Sequence, residues 1–258
     1  MSEILHSKII GKGNPLLILH GLLGMGDNWI SLARKYANHG FEVHLIDQRN
    51  HGKSFHDEEM NYEIMSEDLD RYIRHHHLNN ISLMGHSMGG KTAMFYAVNH
   101  PNEVERLIIV DIAPKKYPPH HHFIFEAIKK IDLQKYSKRK EIEKELEKYI
   151  ESTAIRNFVL KNLKRSENKN FEWKMNLPVL EASLNELGDA LPPYTIYSKP
   201  SLFIKGEKSP YILKNDFTLI KAHFPQSEMS VINKSGHWVH AEQPEIFFNK
   251  TLNFLSND

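Results

Sequence analysis

The chain has 258 residues, of which 40% are hydrophobic, 25% charged and 10% aromatic, and its formal net charge is +1. This composition is typical of a globular protein, and the small net charge gives no general attraction to nucleic acid or anionic membranes. The absence of cysteine excludes disulfides, thiolate catalysis and cysteine-ligated metals. No apolar run approaches the roughly 20 residues of a membrane span, and the first residues lack a signal-peptide pattern, so a cytoplasmic protein is expected.

Short apolar stretches alternate with stretches of helical spacing in the first half of the chain. The strand patterns cover residues 16–21, 42–47, 81–86 and 106–114. The helix patterns run from Asp27 or Asn28 to Gly40, from Tyr62 to His77 and from Lys91 to His100. Apolar strands that alternate with helices predict an α/β protein with a mostly parallel central sheet, flanked by helices on both faces.

The pattern changes between residues 115 and 199, which are rich in lysine and glutamate. Apolar residues there recur at helical spacing, as at Ile142, Leu146 and Ile150. Strand patterns resume at 200–206 and 227–233, and a final helix follows Pro244. We therefore predict a core domain made of residues 1–114 and 200–258, with residues 115–199 as an inserted helical cap. The alternative is a helical excursion that packs only on the flank of the sheet.

The stretch GHSMG, from Gly85 to Gly89, separates a strand pattern from a helix pattern. It matches the G-x-S-x-G motif, in which a nucleophilic serine occupies a sharp strand-to-helix turn. Such a turn strains the serine backbone and leaves no room for neighbouring side chains. We predict that Ser87 is the nucleophile and that the amide of Met88, at the start of the helix, is one donor of an oxyanion hole. The alternative is a glycine-rich turn with an incidental serine.

A serine hydroxyl needs a general base, and the chain offers 17 histidines. His237 follows the last strand pattern and precedes the last helix, where the chain order of this motif requires the base. His240 is the competitor, and His237 is preferred because it directly follows a Ser-Gly pair. The tracts His75–His77 and His120–His122 predict solvated surface, because consecutive histidines cannot all face one metal ion; no metal site is predicted.

The acid that orients the histidine is not in its usual place, about three residues after the strand that ends at Gly206. That position is Ser209, which cannot carry a charge. Glu207 lies too close to the end of the strand, and Asp216 lies in the next helix pattern. Asp111 ends a buried strand at the edge where the active groups of parallel sheets gather, and a buried carboxylate needs a partner. Asp111 is therefore the predicted acid; alternatively, it stabilises the following turn.

The loop after the first core strand predicts the second oxyanion donor. We assign it to the amide of Leu22, with Leu23 as the alternative. A phosphate loop is excluded because no G-K-[ST] sequence follows. Arg49 and Asn50, after the next strand, either brace the pocket floor or belong to a structural loop. The candidate substrate-binding residues are His20, Gly21, Leu23, His86, Arg49, Asn50 and Trp238.

These motifs together resemble the α/β-hydrolases over nearly the whole chain. The stretches DQRNHGKS (47–54), GHSMGGK (85–91), VDIAP (110–114), SPY (209–211) and GHWVHAE (236–242) are similar to small bacterial carboxylesterases of the YbfF type. The resemblance implies an α/β-hydrolase fold and hydrolysis of short-chain carboxylesters, with acyl-thioesters as a further substrate class. It also implies the same shift of the acid, to an aspartate after the sixth strand instead of the seventh. Residues 115–199 are unusually rich in lysine and glutamate, so substrate preference is not carried over.

The expected function is that of a serine carboxylesterase, which hydrolyses short-to-medium acyl esters, or acyl-thioesters, through an acyl-enzyme. The expected partner is the small-molecule substrate, without nucleic acid, metal or organic cofactor, and the protein is expected to be a monomer or homodimer. Two alternatives remain. The same three residues also support carbon–carbon bond hydrolysis or cofactor-free peroxidation, and the fold can serve as a silent ligand-binding module. Dehalogenases and epoxide hydrolases are disfavoured because they carry aspartate where Ser87 stands.

Overall fold

Nine strands are present in the computed structural model, which describes residues 3–119 and 121–256. They are β1 (Ser7–Gly11), β2 (Asn14–Leu19), β3 (Phe41–Ile46), β4 (Ile81–His86), β5 (Val104–Val110), β6 (Leu163–Arg165), β7 (Phe171–Trp173), β8 (Ser201–Gly206) and β9 (Ser227–Ile232). Seven of them form one sheet in the order β1-β3-β2-β4-β5-β8-β9. Every neighbouring pair is parallel except β1 and β3. The predicted mostly parallel sheet is confirmed.

Helices cover both faces of this sheet. They are α1 (Ile30–Ala37), α2 (Tyr62–His75), α3 (Met88–Asn99), α4 (His122–Lys129), α5 (Arg139–Leu146), α6 (Thr153–Leu160), α7 (Leu177–Ala182), α8 (Asp216–His223), α9 (Val239–Glu242) and α10 (Pro244–Ser256). Buried residues of α1 and α10 form one core cluster with one face, and those of α2 and α3 join the cluster on the other. Over the ranges the structure describes, no helix has the length and apolarity needed to cross a membrane.

The first strand, β1, is missing from the sequence prediction. It pairs antiparallel with β3 at the edge of the sheet. Its residues are half-buried or exposed, whereas all six residues of β4 are buried. An edge strand is not covered on both sides, so it lacks the continuous apolar run by which the central parallel strands are identified.

Residues 115–199, called the insertion from here on, lie between β5 and β8. They contain helices α4 to α7, but also the antiparallel hairpin of β6 and β7, so the expectation of an entirely helical block is wrong. The hairpin turns at the polar stretch Ser166–Asn170, where Lys169 has a positive φ of 64°. Phe125, Ile128 and Leu146 are buried in the same core cluster as residues of the sheet. Apolar packing therefore joins the insertion to the body of the protein.

A buried lysine connects both ends of the insertion to α3. Lys91 is 1% exposed, and its ammonium group donates hydrogen bonds to the carbonyls of Lys115 and Asp189, both at 2.5 Å. Burial lowers the pKa of Lys91 to about 7. Because Lys91 lies one turn after Ser87, it links the start and end of the insertion to the helix that carries the predicted nucleophile.

We expect Lys91→Met to reduce the free energy of unfolding by about 2–3 kcal/mol, because two buried carbonyls lose their donor. Denaturant-induced unfolding measures this change. Lys148→Met, at an exposed lysine, is the matched control and should change stability by less than about 0.5 kcal/mol. Equal stability of the two variants would contradict the proposed link.

Candidate active site

Ser87 lies in the turn between β4 and α3, with φ 53° and ψ −116°. This positive φ is a strained conformation for serine, as the motif predicts. A Cβ at Gly85 would lie 2.1 Å from the carbonyl oxygen of Gly89, and one at Gly89 would lie 2.5 Å from that of Leu19. Both glycines are therefore required for close backbone approach. The Ser87 side chain makes no capping hydrogen bond to its own helix, so its hydroxyl is left for other partners.

The sheet order brings the predicted acid next to the serine. Strands β4 and β5 are neighbours, and the Ser87 N–H donates to the Val110 carbonyl at 3.0 Å, one residue before Asp111. His237 comes from the loop after β9, which must cross the end of β8 to reach Asp111. It crosses at Gly206, where a Cβ would lie 2.0 Å from the carbonyl oxygen of Gly236. His237 Nδ1 then lies 2.8 Å from Asp111 Oδ2.

The Asp111 carboxylate is fully buried and accepts three hydrogen bonds. Besides His237, its donors are the Gly206 N–H at 3.0 Å and the Ser209 hydroxyl. Burial raises the pKa of Asp111 to about 6, while the bonds from Ser209 and Gly206 oppose the shift. Ser209 thus occupies the usual position of the acid and donates a hydrogen bond from there to Asp111, the predicted acid. This contact was not predicted from the sequence, although the position of Ser209 was a signal.

Tyr211 and His86 also contact His237 and help to hold it in place. The ring of Tyr211 stacks on the imidazole with centroids 3.9 Å apart and an interplanar angle of 14°. His86 donates from Nε2 to the carbonyl of His237 at 2.9 Å. Burial lowers the pKa of His86 to about 3, so this histidine is neutral. Tyr211 was not among the predicted site residues; the SPY stretch was its only signal.

Ser87 and His237 both line a cavity of about 330 Å³. Of the predicted residues, it is also lined by His20, Gly21, Leu22, Leu23, His86 and Trp238. Hydrogen bonds of catalytic groups are often long until the substrate binds, so shared access to one cavity is the relevant geometry.

The predicted oxyanion donors lie beside a second, smaller cavity of about 50 Å³, which is lined by Leu22, Ser87 and Met88 among others. The amide of Leu23, the alternative donor, is already bonded to His51 Nε2 at 3.1 Å. This leaves Leu22 and Met88 as the better pair. Burial lowers the pKa of His51 to about 3, so its Nε2 stays unprotonated and can accept that bond.

His20 holds the start of the same loop. Its Nε2 accepts from the Gln48 N–H at 3.0 Å, and its Nδ1 donates to the Gly21 carbonyl at 2.8 Å. Burial lowers the pKa of His20 to about 4, which keeps the ring neutral and Nε2 an acceptor. His20 therefore supports the loop that carries the predicted oxyanion donor Leu22, and it also lines the cavity.

Arg49 and Asn50 line neither of these two cavities, although the sequence predicts both as candidate substrate-binding residues. The Arg49 guanidinium is paired with Asp68, with Nε–Oδ2 at 2.5 Å and Nη2–Oδ1 at 2.9 Å. Asn50 has φ 63°, and its Oδ1 accepts from the Asp57 N–H and from the Asn176 side chain. A buried charge requires its partner, so these side chains are committed to the loop. The geometry corrects the prediction in favour of the structural-loop alternative.

Among residues 3–119 and 121–256, one group of side chains brings potential metal ligands together. Atoms of Asp70, His100 and Glu103 lie within 4.8 Å of one another. None of the three lines the cavity that contains Ser87. His75, His77 and His122 are exposed, as predicted, whereas His121 lines both cavities; His120 lies outside the described residues.

The fold and this arrangement define an α/β-hydrolase. Residues 14–168 match the family model described as alpha/beta hydrolase fold, more than half of the chain, and the chain belongs to that family. It is 37% identical to the sn-1-specific diacylglycerol lipase ABHD11 of Danio rerio over 95% of this chain and 80% of that protein. It is 31% identical to esterase YbfF of Escherichia coli, over 95% and 94% of the respective chains. The solved structure of a marine microorganism esterase superposes with a TM-score of 0.95 at 44% identity, covering 98% of this chain and all of that one.

Proposed function

We propose that this protein is a serine carboxylesterase in which Ser87, His237 and Asp111 form the catalytic triad. The observation that carries the proposal is the hydrogen bond between Asp111 and His237 at the edge of the cavity that also contains the Ser87 elbow. Relatives named as esterases and lipases support the reaction class. Hydrolysis of acyl-thioesters would use the same groups.

In the proposed mechanism, His237 donates from Nδ1 to Asp111, which leaves Nε2 to accept the proton of Ser87. The serine oxygen attacks the ester carbonyl, and the amides of Leu22 and Met88 stabilise the oxyanion. His237 then returns the proton to the leaving alcohol, and an acyl-enzyme remains. Water, deprotonated by His237, attacks the acyl-enzyme and releases the acid and free Ser87.

The two cavities that meet at Ser87 suggest where each half of the ester binds. The leaving oxygen must lie near His237, which lines the larger cavity, so the alcohol half belongs there. The acyl half then occupies the smaller cavity of about 50 Å³, bounded by Met88 and Leu184. That volume holds only about two water-sized groups, which favours short acyl chains.

The insertion is proposed to act as a cap because it completes the larger cavity. It contributes Ile124, Ala154, Asn157, Phe158 and Lys161 to the lining. Phe125 and Ile128 lie in the core cluster without lining the cavity, and Ile124 belongs to both. Apolar residues of the insertion therefore form part of the cavity wall and also attach the insertion to the body of the protein.

A series of 4-nitrophenyl esters with acyl chains from acetyl to octanoyl tests this assignment. We expect kcat/KM to fall beyond butanoyl, and Leu184→Ala to move the optimum to chains about two carbons longer, because it removes three carbon atoms from the wall of the small cavity. Leu213→Ala, at an exposed leucine outside both cavities, is the matched control.

An unchanged chain-length profile in Leu184→Ala would contradict the placement of the acyl half, but not the reaction. If the folded wild type hydrolysed no ester of any chain length, the esterase proposal itself would fail. Carbon–carbon bond hydrolysis, peroxidation or silent ligand binding would then replace it.

A further inference from the structure

His240, the histidine that competed with His237 in the sequence, lies in the wall of the larger cavity. Its ring stacks on Trp29, with centroids 3.9 Å apart and an interplanar angle of 11°. The residue is only 8% exposed. The stacking fixes the plane of the imidazole, so its nitrogens point in defined directions.

The two ring nitrogens of His240 differ in their surroundings. Nδ1 is sealed from solvent and has no hydrogen-bond partner among the described residues. A buried N–H without an acceptor is rarer in proteins than a buried acceptor without a donor, so the proton belongs on the other nitrogen, Nε2. Burial and the nearby His86, His237 and Lys161 lower the pKa of His240 well below its ordinary value, so the ring is neutral. With the proton on Nε2, the ring has one N–H donor, and His240 lines the larger cavity.

We infer that His240 is a specificity-determining residue that donates a hydrogen bond from Nε2 to an acceptor oxygen on the alcohol half of the substrate. The inference rests on the proposed esterase function and on the placement of the alcohol in the larger cavity. It names the substrate class as esters whose alcohol half carries a second oxygen function, such as a carbonyl group.

The charges around His240 support an acceptor group rather than a donor. Lys161 also lines the cavity, and a cation attracts the partial negative charge of a carbonyl oxygen. Glu242 is the carboxylate of the lining, but its two oxygens accept from the Gly236 and Trp238 amides at 2.9 and 3.2 Å. These bonds direct Glu242 to its own loop.

A structural role does not account for the imidazole. The nitrogen of His240 that is buried makes no hydrogen bond to the protein, and phenylalanine could supply the stacking on Trp29 equally well. His86, by contrast, uses its ring to bind the carbonyl of His237. The polar edge of His240 is therefore explained by a ligand in the cavity rather than by the fold.

The test compares 4-oxopentyl acetate with 4-methylpentyl acetate, which differ by a carbonyl oxygen in place of a methyl group and a hydrogen on C4. The readout is the ratio of their kcat/KM values within each protein, so a general change in activity cancels. We expect His240→Phe to lower this ratio by about three- to tenfold, the value of one neutral hydrogen bond. His240→Gln, whose amide can donate at a similar reach, should restore part of the ratio. His39→Phe, at an exposed histidine, is the matched control and should retain the wild-type ratio.

An unchanged ratio in folded His240→Phe would overturn the inference. The inference would also fail if the wild type preferred 4-methylpentyl acetate as strongly as His240→Phe does. If the wild type hydrolysed neither acetate and none of the 4-nitrophenyl esters, the esterase proposal would fail separately. Binding of the two acetates to Ser87→Ala, followed by the 15N shifts of the His240 ring, would then decide the inference. Tighter binding of the oxo ester with a shift at Nε2 supports it, and equal binding without a shift contradicts it.

Discussion

Ser87→Ala is expected to lower kcat by about 10⁴-fold or more on any ester that the wild type hydrolyses. Alanine nearly keeps the volume of the elbow but removes the oxygen that is proposed to form the acyl-enzyme. The oxyanion donors and the cavity remain, so a small residual rate over the uncatalysed reaction is expected. A fluorophosphonate probe, which reacts covalently with activated serines, should label the wild type and not the variant.

Ser82→Ala provides the control for this substitution. Ser82 lies on β4, five residues before Ser87, and both serines are 8% exposed. Ser82 does not lie in a strand-to-helix turn and has no predicted base, so removal of its hydroxyl should affect neither labelling nor turnover. Labelling that survives in Ser87→Ala would place the reactive group elsewhere. A folded wild type that is not labelled would favour a silent ligand-binding protein.

Asp111→Asn is expected to lower kcat by about 10⁴-fold, because an asparagine can neither hold His237 in the required tautomer nor stabilise its protonated form. Asparagine has the same shape and tolerates the φ of 53° found at this position, so the fold should be retained. Asp216→Asn is the matched control. Asp216 pairs with Lys115 at 2.6 Å and lines neither cavity, so its variant should keep kcat within about threefold.

The same substitution should leave stability unchanged or increase it, with a defined pH dependence. Because folding raises the pKa of Asp111 from 3.8 to about 6, the folded state binds more protons than the unfolded state between these values. The free energy of unfolding of the wild type therefore falls as pH rises through this window, and asparagine avoids that loss. The gain of Asp111→Asn should reach at most about 3 kcal/mol above pH 6, and vanish near pH 4.

Denaturant unfolding of wild type and Asp111→Asn across this pH range measures the gain in the free energy of unfolding. Ester turnover measures the loss in kcat. A near-normal rate in Asp111→Asn together with a large loss in Asp216→Asn would identify Asp216 as the acid. A stability gain that grows towards low pH would contradict the raised pKa of Asp111.

The local sequence carries enough information for the fold class and for a proposed triad. Strands β2, β4 and β5 are recognisable because a strand covered on both faces needs a continuous apolar run. The elbow is recognisable because its steric demands fall within five residues, from Gly85 to Gly89. The proposed base and acid follow from chain order and strand ends, which are local features as well. Their roles remain predictions, and what supports them now is the 2.8 Å contact between His237 and Asp111.

The contacts that tune the site were decided only by the tertiary structure. Three such features depend on how loops from different strands cross one another. They are the hydrogen bond from Ser209 to Asp111, the stacking of Tyr211 on His237 and the position of Arg49 away from the cavity. The orientation of the His240 ring depends on its stacking on Trp29, which lies more than two hundred residues earlier in the chain. Periodicity and glycine spacing are set by steric rules between near neighbours along the chain, whereas these contacts depend on strand order and loop path, which no short stretch of sequence contains.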